Sequence, residues 1–302
     1  MDHVLTLIAN PETRDLDDSM VEAAKSALHA LGAETGTADW LDPGIACDIP
    51  FADMAPDQAD AAARKALVGA RVDIIAQVSE ARRKRLLVAD MESTIIRQEM
   101  LDELGELVGL KEHIARITAR AMNGEIDFKG AIRERVGLLK DLSISALEET
   151  YARVELMPGA EKLIRTMRAN GTYCMLVSGG FKFYTSRIRE RLGFDEDRAN
   201  DLEIADGKLS GKPVEPILDK DSKLEALMST AGARHIPIKE TMAVGDGAND
   251  LPMLQAAGLG VAYHAKPVVA AEARARVDHS DLTALLYAQG YRGEDIKTAL
   301  TT

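Results

Sequence analysis

Three short segments hold the residues best able to do chemistry. Asp90-Met91-Glu92-Ser93-Thr94 follows the apolar run 86–89, Ser178-Gly179-Gly180 follows the run 173–177, and Gly245-Asp246-Gly247-Ala248-Asn249-Asp250 follows the run 241–244. Lys223 lies between the second and third segments, near the start of the helix that precedes the third strand. Carboxylates without neighbouring histidines or thiols favour a hard, oxygen-seeking ion such as Mg²⁺. An aspartate beside such an ion can attack phosphorus and form an aspartyl-phosphate. The ion, a lysine and backbone N–H groups can offset charge on transferring phosphoryl oxygens. Glu92, two residues past Asp90, can protonate a leaving alkoxide and later activate water. On an extended segment residues i and i+2 point the same way, so both carboxyl groups can share one site.

That chemistry needs a scaffold that brings the three segments together. After residue 158 the pattern alternates, with helices expected near 160–169, 182–192, 221–230 and 251–257. Strands are expected at 173–177, 201–205, 241–244 and 259–262. Such alternation predicts an α/β fold, a doubly wound parallel sheet, whose ligands gather beyond the carboxyl ends of its strands. Residues 99–155 read as almost entirely helical, punctuated by Gly124 and Gly130. They form a small helical cap inserted after the first core strand. The first eighty residues read β-α-β-β-α-β, with strands at 4–9, 37–41, 46–51 and 72–78 and helices at 17–31 and 58–68. This is a ferredoxin-like α+β order. The expected division is therefore 1–80, a core of 81–98 with 158–302, and a cap of 99–157. Arg82-Arg83-Lys84-Arg85 reads as a solvated linker into the strand at 86–89.

Composition narrows the function classes. With 302 residues, about two domains are expected. The formal charge is −12, from 49 acidic and 37 basic residues, which argues against nucleic acid as a partner. Only 4% of residues are aromatic, too few for a base-stacking platform. Cys47 and Cys174 cannot make a disulfide framework and read as thiols in a reducing, cytoplasmic compartment. No apolar run approaches the ~20 residues of a membrane span. The six histidines are scattered without metal-ligand spacing, and no ATP P-loop or dinucleotide fingerprint appears.

The segments at 90–94, 178–180 and 245–250, with Lys223 in order between them, resemble the four motifs of the haloacid-dehalogenase-like phosphatase superfamily. The longer context, with Glu99, Arg135 and Val177-Ser178-Gly179-Gly180-Phe181, resembles the phosphoserine phosphatase family. The likeness spans roughly residues 84–290. The segment before it is similar to the ACT-like domain found in bacterial members, which makes it a candidate for effector binding or homodimer formation. Taken singly, Asp90, Asp246 and Asp250 read as turn or N-cap residues, Lys223 as a solvated helix residue, and Glu99 and Arg135 as parts of charged helix faces. Their order along the chain carries the resemblance.

The resemblance implies a Mg²⁺-dependent enzyme acting on a small-molecule phosphomonoester, O-phospho-L-serine. Asp90 would be the nucleophile, Glu92 the general acid/base, and Ser178 and Lys223 the holders of the phosphoryl oxygens. Gly179, Gly180 and Asn249 would lie near the substrate. Glu99 and Arg135 would recognise its ammonium and carboxylate groups, an assignment their charges suit. Asp90, the Glu92 main-chain carbonyl, Asp246 and Asp250 would form the metal set. Phe128 stands as either a closing or a core residue. The family pattern has aspartate where this chain has Glu92, which adds a methylene, roughly 1.5 Å of reach and another rotor. Two rivals stand beside this reading: the same chemistry on another small phosphomonoester or acceptor, and a silent phosphate or metabolite binder.

Overall fold

The computed structural model describes residues 1–122, 125–218 and 221–301. Gly124, expected as a break between helices, lies outside the described residues.

The chain opens with β1 (His3–Ala9), α1 (Asp18–Ala30), β2 (Glu34–Thr35), β3 (Asp39–Asp42), β4 (Ala46–Ala52), α2 (Pro56–Ala66) and β5 (Val72–Val78). Asp17 caps α1, its side chain accepting from Met20 N. These strands form an antiparallel sheet in the order β2-β4-β1-β5, with β3 also on β4. The topology is ferredoxin-like, and the weak second strand of the sequence is split into β2 and β3. Alternation along the strands separates two apolar faces. Leu5, Leu7, Cys47, Ile49 and Phe51 pack with Val21, Ala24 and Leu28 of α1 and with Ala59 and Ala63 of α2. Ile8, Ala46 and Ile75 join the large core that also contains Leu285 and Tyr287.

The second half begins at β6 (Leu86–Asp90). It is followed by the helices α3 (Met100–Leu107), α4 (Lys111–Met122), α5 (Phe128–Gly137) and α6 (Ile144–Ala152). Next come α7 (Ala160–Ala169), β7 (Tyr173–Phe181), α8 (Lys182–Leu192), β8 (Glu196–Asn200), β9 (Leu202–Ala205) and β10 (Lys208–Pro213). The chain continues through α9 (Ser222–Ala233), β11 (Thr241–Gly245), α10 (Leu251–Ala256), β12 (Leu259–Tyr263), α11 (Pro267–Glu272) and β13 (Ala275–Val277). It closes with α12 (Ala284–Ala288) and α13 (Gly293–Thr301). The six-stranded sheet runs β13-β12-β11-β6-β7-β8, every pair parallel. Its central strands carry the buried apolar runs 86–89, 174–177 and 242–244, as two covered faces require. Chain order reverses at β6, whose neighbours are β11 and β7, so the crevice opens at the end of β6. The helices α3–α6 leave and return through a short stem in which Arg97 N donates to Glu155 O at 2.9 Å and Met157 N to Ile95 O at 2.9 Å.

Three expectations need correction, and two edge strands were not expected. Residues 202–205 do not join the main sheet; β9 pairs antiparallel with β10. That hairpin braces the cap, where Asp141 N donates to Leu209 O at 2.9 Å and Ile144 N to Gly207 O at 3.1 Å. The edge strands β8 and β13 escaped the sequence reading because one is the polar run Glu-Asp-Arg-Ala-Asn and the other has three residues. Gly130 is no break; it lies in the first turn of α5, its N–H donating to Asp127 Oδ1 at 2.6 Å.

The basic run at 82–85 is also more than a solvated linker. Arg82 donates to Asp48 through both Nη atoms (2.6 and 3.0 Å) and to the Ala288 carbonyl through Nε at 3.2 Å. Lys84 is buried and donates to the carbonyls of Ala81 (2.9 Å) and Lys239 (2.7 Å). Asp73 on β5 completes the join, accepting from Asp278 N at 2.7 Å and Ser280 N at 2.8 Å. The two halves thus meet through polar anchors as well as apolar contact. No helix among the described residues is long and apolar enough to cross a membrane.

Candidate active site

Asp90 is the last residue of β6, at the centre of the sheet, and is buried. Lys223, in the first turn of α9, is buried too and points its ammonium at two carboxylates. Its Nζ lies 2.6 Å from Asp90 Oδ1 and 2.5 Å from Asp250 Oδ1. Asp250 stands at the start of α10, and its other oxygen accepts from Gly247 N at 2.9 Å. A Cβ at Gly245 would lie 2.5 Å from Asp250 Oδ2, so the end of β11 is glycine where that carboxylate comes closest. Asp246, on the same turn, completes a cluster: Asp90, Asp246 and Asp250 bring carboxylate oxygens within 4.8 Å of one another.

The cluster concentrates carboxylates that could hold a cation. Burial, then the Asp250 carboxylate, pushes Asp90 well above the usual carboxylate range, against the opposing pull of Lys223. The same two causes push Asp246 up to about 6. Burial works against the charge on Lys223, but Asp90 and Asp250 outweigh it and hold the ammonium above the ordinary lysine range. Three acids therefore face one buried lysine, and the excess negative charge is what a divalent ion would offset. The oxygen-only donor set suits a hard ion.

Glu92 sits beyond the strand end and reaches back into the site. Its Oε2 accepts from Ser178 Oγ at 3.2 Å and its Oε1 from Met100 N, the first N–H of α3, at 2.9 Å. Burial, followed by the neighbouring Glu99 carboxylate, pushes Glu92 up to about 7. Ser178, Gly179 and Gly180 lie in an irregular part of β7, where its register on β8 shifts between Val177 and Phe181. There Gly180 N donates to Ser178 Oγ at 2.8 Å, and Asn200 holds the Gly179 carbonyl at 2.9 Å.

A cavity of about 190 Å³ joins these groups. Asp90, Glu92, Lys223, Gly179, Gly180, Asp246 and Asn249 line it from the core side, and Glu99 and Arg135 from the cap side. Ser178 and Asp250 lie just behind that lining, bonded to members of it. Arg135 donates from Nε to Ala131 O at 3.2 Å, and burial pulls its guanidinium below the ordinary arginine range. Every sequence-predicted site residue is thus at or against one cavity. Phe128 also lines it.

The sequence reading missed Leu101, Ile132, Val136, Phe181 and Lys266, which share the lining. The apolar four look like ordinary packing residues, and only the cap's placement shows otherwise. Lys266 lies just past the end of β12, so inspecting that strand end as the other three were inspected would have found it.

Residues 87–255 match the haloacid dehalogenase-like hydrolase family. A phosphoserine phosphatase from Streptomyces coelicolor is 41% identical over 240 residues, 80% of this chain but 58% of its own length. The crystal structure of a probable phosphoserine phosphatase from Vibrio cholerae aligns with a TM-score of 0.77 and 30% identity, covering 99% of this chain and 88% of that one. A phospho-aspartyl intermediate analogue of phosphoserine phosphatase aligns over 68% of this chain and 98% of that one, with a TM-score of 0.63 and 38% identity. The parallel sheet, the strand-end carboxylates and these matches place the chain in the haloacid dehalogenase-like hydrolase family. Within that family it is an enzyme of the phosphoserine phosphatase group.

Proposed function

We propose that the protein hydrolyses O-phospho-L-serine to L-serine and phosphate through an aspartyl-phosphate on Asp90. One observation carries this reading: Glu99 and Arg135, brought in by the cap, line the same cavity as Asp90, Glu92 and Lys223. A carboxylate suits an ammonium and a guanidinium fork suits a carboxylate, so the cap presents a receptor for an amino acid opposite a receptor for phosphate.

Asp90 attacks phosphorus in line while Glu92 gives its proton to the departing serine oxygen. In the second half, water gives a proton to Glu92 and attacks the aspartyl-phosphate, releasing phosphate and freeing Asp90. Lys223 and the Ser178 hydroxyl hold the phosphoryl oxygens, with Gly179, Gly180 and Asn249 close to the substrate. Asp90, the Glu92 main-chain carbonyl, Asp246 and Asp250 would hold Mg²⁺, which when bound supplies positive charge against those oxygens. The apolar wall of Leu101, Phe128, Ile132 and Val136 keeps the cavity small and excludes water during the first step. The bonds from Glu92 to Ser178 and Met100 keep its carboxyl in the site, which favours a working acid/base over a silent binder.

Residues 1–80 are taken as an ACT-like domain serving effector binding or homodimer formation, 81–98 with 158–302 as the core, and 99–157 as the cap. The setting is cytoplasmic serine synthesis.

The test is phosphate release from O-phospho-L-serine with Mg²⁺, against an EDTA-treated control. Arg135→Ala should raise KM for phosphoserine about tenfold or more while sparing phosphoethanolamine, which has no carboxylate. Equal effects on both substrates would transfer the reading to another phosphomonoester.

A further inference from the structure

We propose that Ser93 is a positioning residue, holding Glu99 in place for the substrate's ammonium group; the inference rests on the phosphoserine reading of the site. Ser93 has a left-handed backbone, φ 54°, a conformation that a serine adopts at a cost. In that conformation its Oγ donates to Glu99 Oε1 at 2.7 Å. Strain of this kind at a site asks for a compensating role, and the bond to Glu99 is the one visible.

A division of labour around the start of α3 strengthens the case. Glu99 occupies the N-cap position of that helix, yet its side chain makes no capping bond. The first helical N–H, Met100 N, goes instead to Glu92 Oε1. Glu99 is therefore released from the helix end and turned toward the cavity, with one oxygen on Ser93. Its other oxygen makes no hydrogen bond among the described residues. A free glutamate at this exposed rim would sample several rotamers, and ordering it at substrate binding would weaken affinity. Ser93 removes part of that cost in advance. The effect belongs to ammonium recognition and leaves the phosphoryl chemistry alone.

The decisive variant is Ser93→Gly, because glycine keeps the left-handed backbone without strain and deletes only the hydroxymethyl group. Steady-state kinetics would be compared on O-phospho-L-serine and on its deaminated analogue, 3-phosphonooxypropanoate. The variant should raise KM for phosphoserine about three- to tenfold, the worth of a partly exposed bond to a charged group, with kcat unchanged. KM for the deaminated analogue should not move. A parallel loss on both substrates, a fall in kcat alone, or an unchanged KM for phosphoserine overturns the inference. The wild-type enzyme separates this from the parent reading: if it does not prefer phosphoserine to the deaminated analogue, ammonium recognition itself fails. If it does prefer phosphoserine and Ser93→Gly keeps that preference in full, only the role of Ser93 fails.

Discussion

Glu92 occupies space that Gly180 leaves open. A Cβ on Gly180 would stand 2.9 Å from Glu92 Oε2 and 3.1 Å from Oε1, closer than side chains tolerate without displacement. The longer acid at this position is therefore matched by its surroundings. Its extra methylene carries one oxygen to Ser178 on β7 and the other to the first N–H of α3. A single carboxyl group thus ties the phosphate-side strand to the cap helix.

Gly180→Ala should displace that carboxylate by a few tenths of an ångström and lower kcat about tenfold, since misplacement near 1 Å costs on the order of 10²-fold. Combining it with Glu92→Asp withdraws the acid from the new methyl and should recover part of the loss. Measured kcat values for the two variants decide the matter; a single variant running at the wild-type rate would show the close approach to be without catalytic consequence.

Glu92→Gln separates the acid's two duties. The amide oxygen can still accept from Met100 N, so the thermal midpoint should stay close to that of the parent. The transferable proton is gone, and kcat should fall by roughly 10²–10⁴, the usual worth of a positioned acid/base. Near-normal phosphate release by this variant would remove Glu92 from the mechanism.

Metal and pH are linked through the same acids. Asp246 is pushed up to about 6 from 3.8, and Glu92 to about 7 from 4.5, burial being the first cause of each. Between the starting and raised values the folded chain binds more protons than the unfolded chain. Stability of the metal-free protein therefore falls as pH rises through that window. A divalent ion competes with those protons, so Mg²⁺ should raise the thermal midpoint more at about pH 7.5 than at about pH 5, by a difference of a few degrees. Unfolding scans with Mg²⁺ and with EDTA at both pH values are the check. A larger metal effect at the lower pH would contradict the assignment of this cluster as the ion site.

Much of this architecture was legible in the sequence because the chemistry sits at strand ends. Apolar runs such as 86–89 and 241–244 are long enough to declare themselves, and the segments directly after them are polar and short. The parallel order and the site residues at 90–94, 178–180 and 245–250 could be read that way, whereas Lys223, Glu99 and Arg135 sit at helices and were reached only through their order in the family resemblance. The features that escaped depend on tertiary neighbours. Nothing in Glu-Asp-Arg-Ala-Asn announces a strand; β8 forms because β7 offers it hydrogen bonds. Leu101 and Ile132 belong to apolar helix stripes and reach the cavity only because the cap folds over the sheet. The basic run at 82–85 looked solvated because Asp48, its main partner, lies thirty-four residues before Arg82.

That partnership yields a stability prediction. Arg82 joins Asp48 and Thr6 of the N-terminal sheet to the carbonyls of Tyr287 and Ala288 next to the core. The Asp48 side chain is only 7% exposed, and that guanidinium is its counter-ion. Arg82→Ala would leave a buried carboxylate without its counter-ion, a change that costs about 3–5 kcal/mol in comparable sites. Urea unfolding should show the midpoint falling substantially. The double variant Arg82→Ala with Asp48→Asn should be more stable than Arg82→Ala alone, because the stranded charge is gone. Since Arg82 lies outside the cavity, kcat at low temperature should change little in the folded fraction. If Arg82→Ala unfolds at the parent's urea concentration, the anchor is dispensable and apolar contact alone joins the two halves.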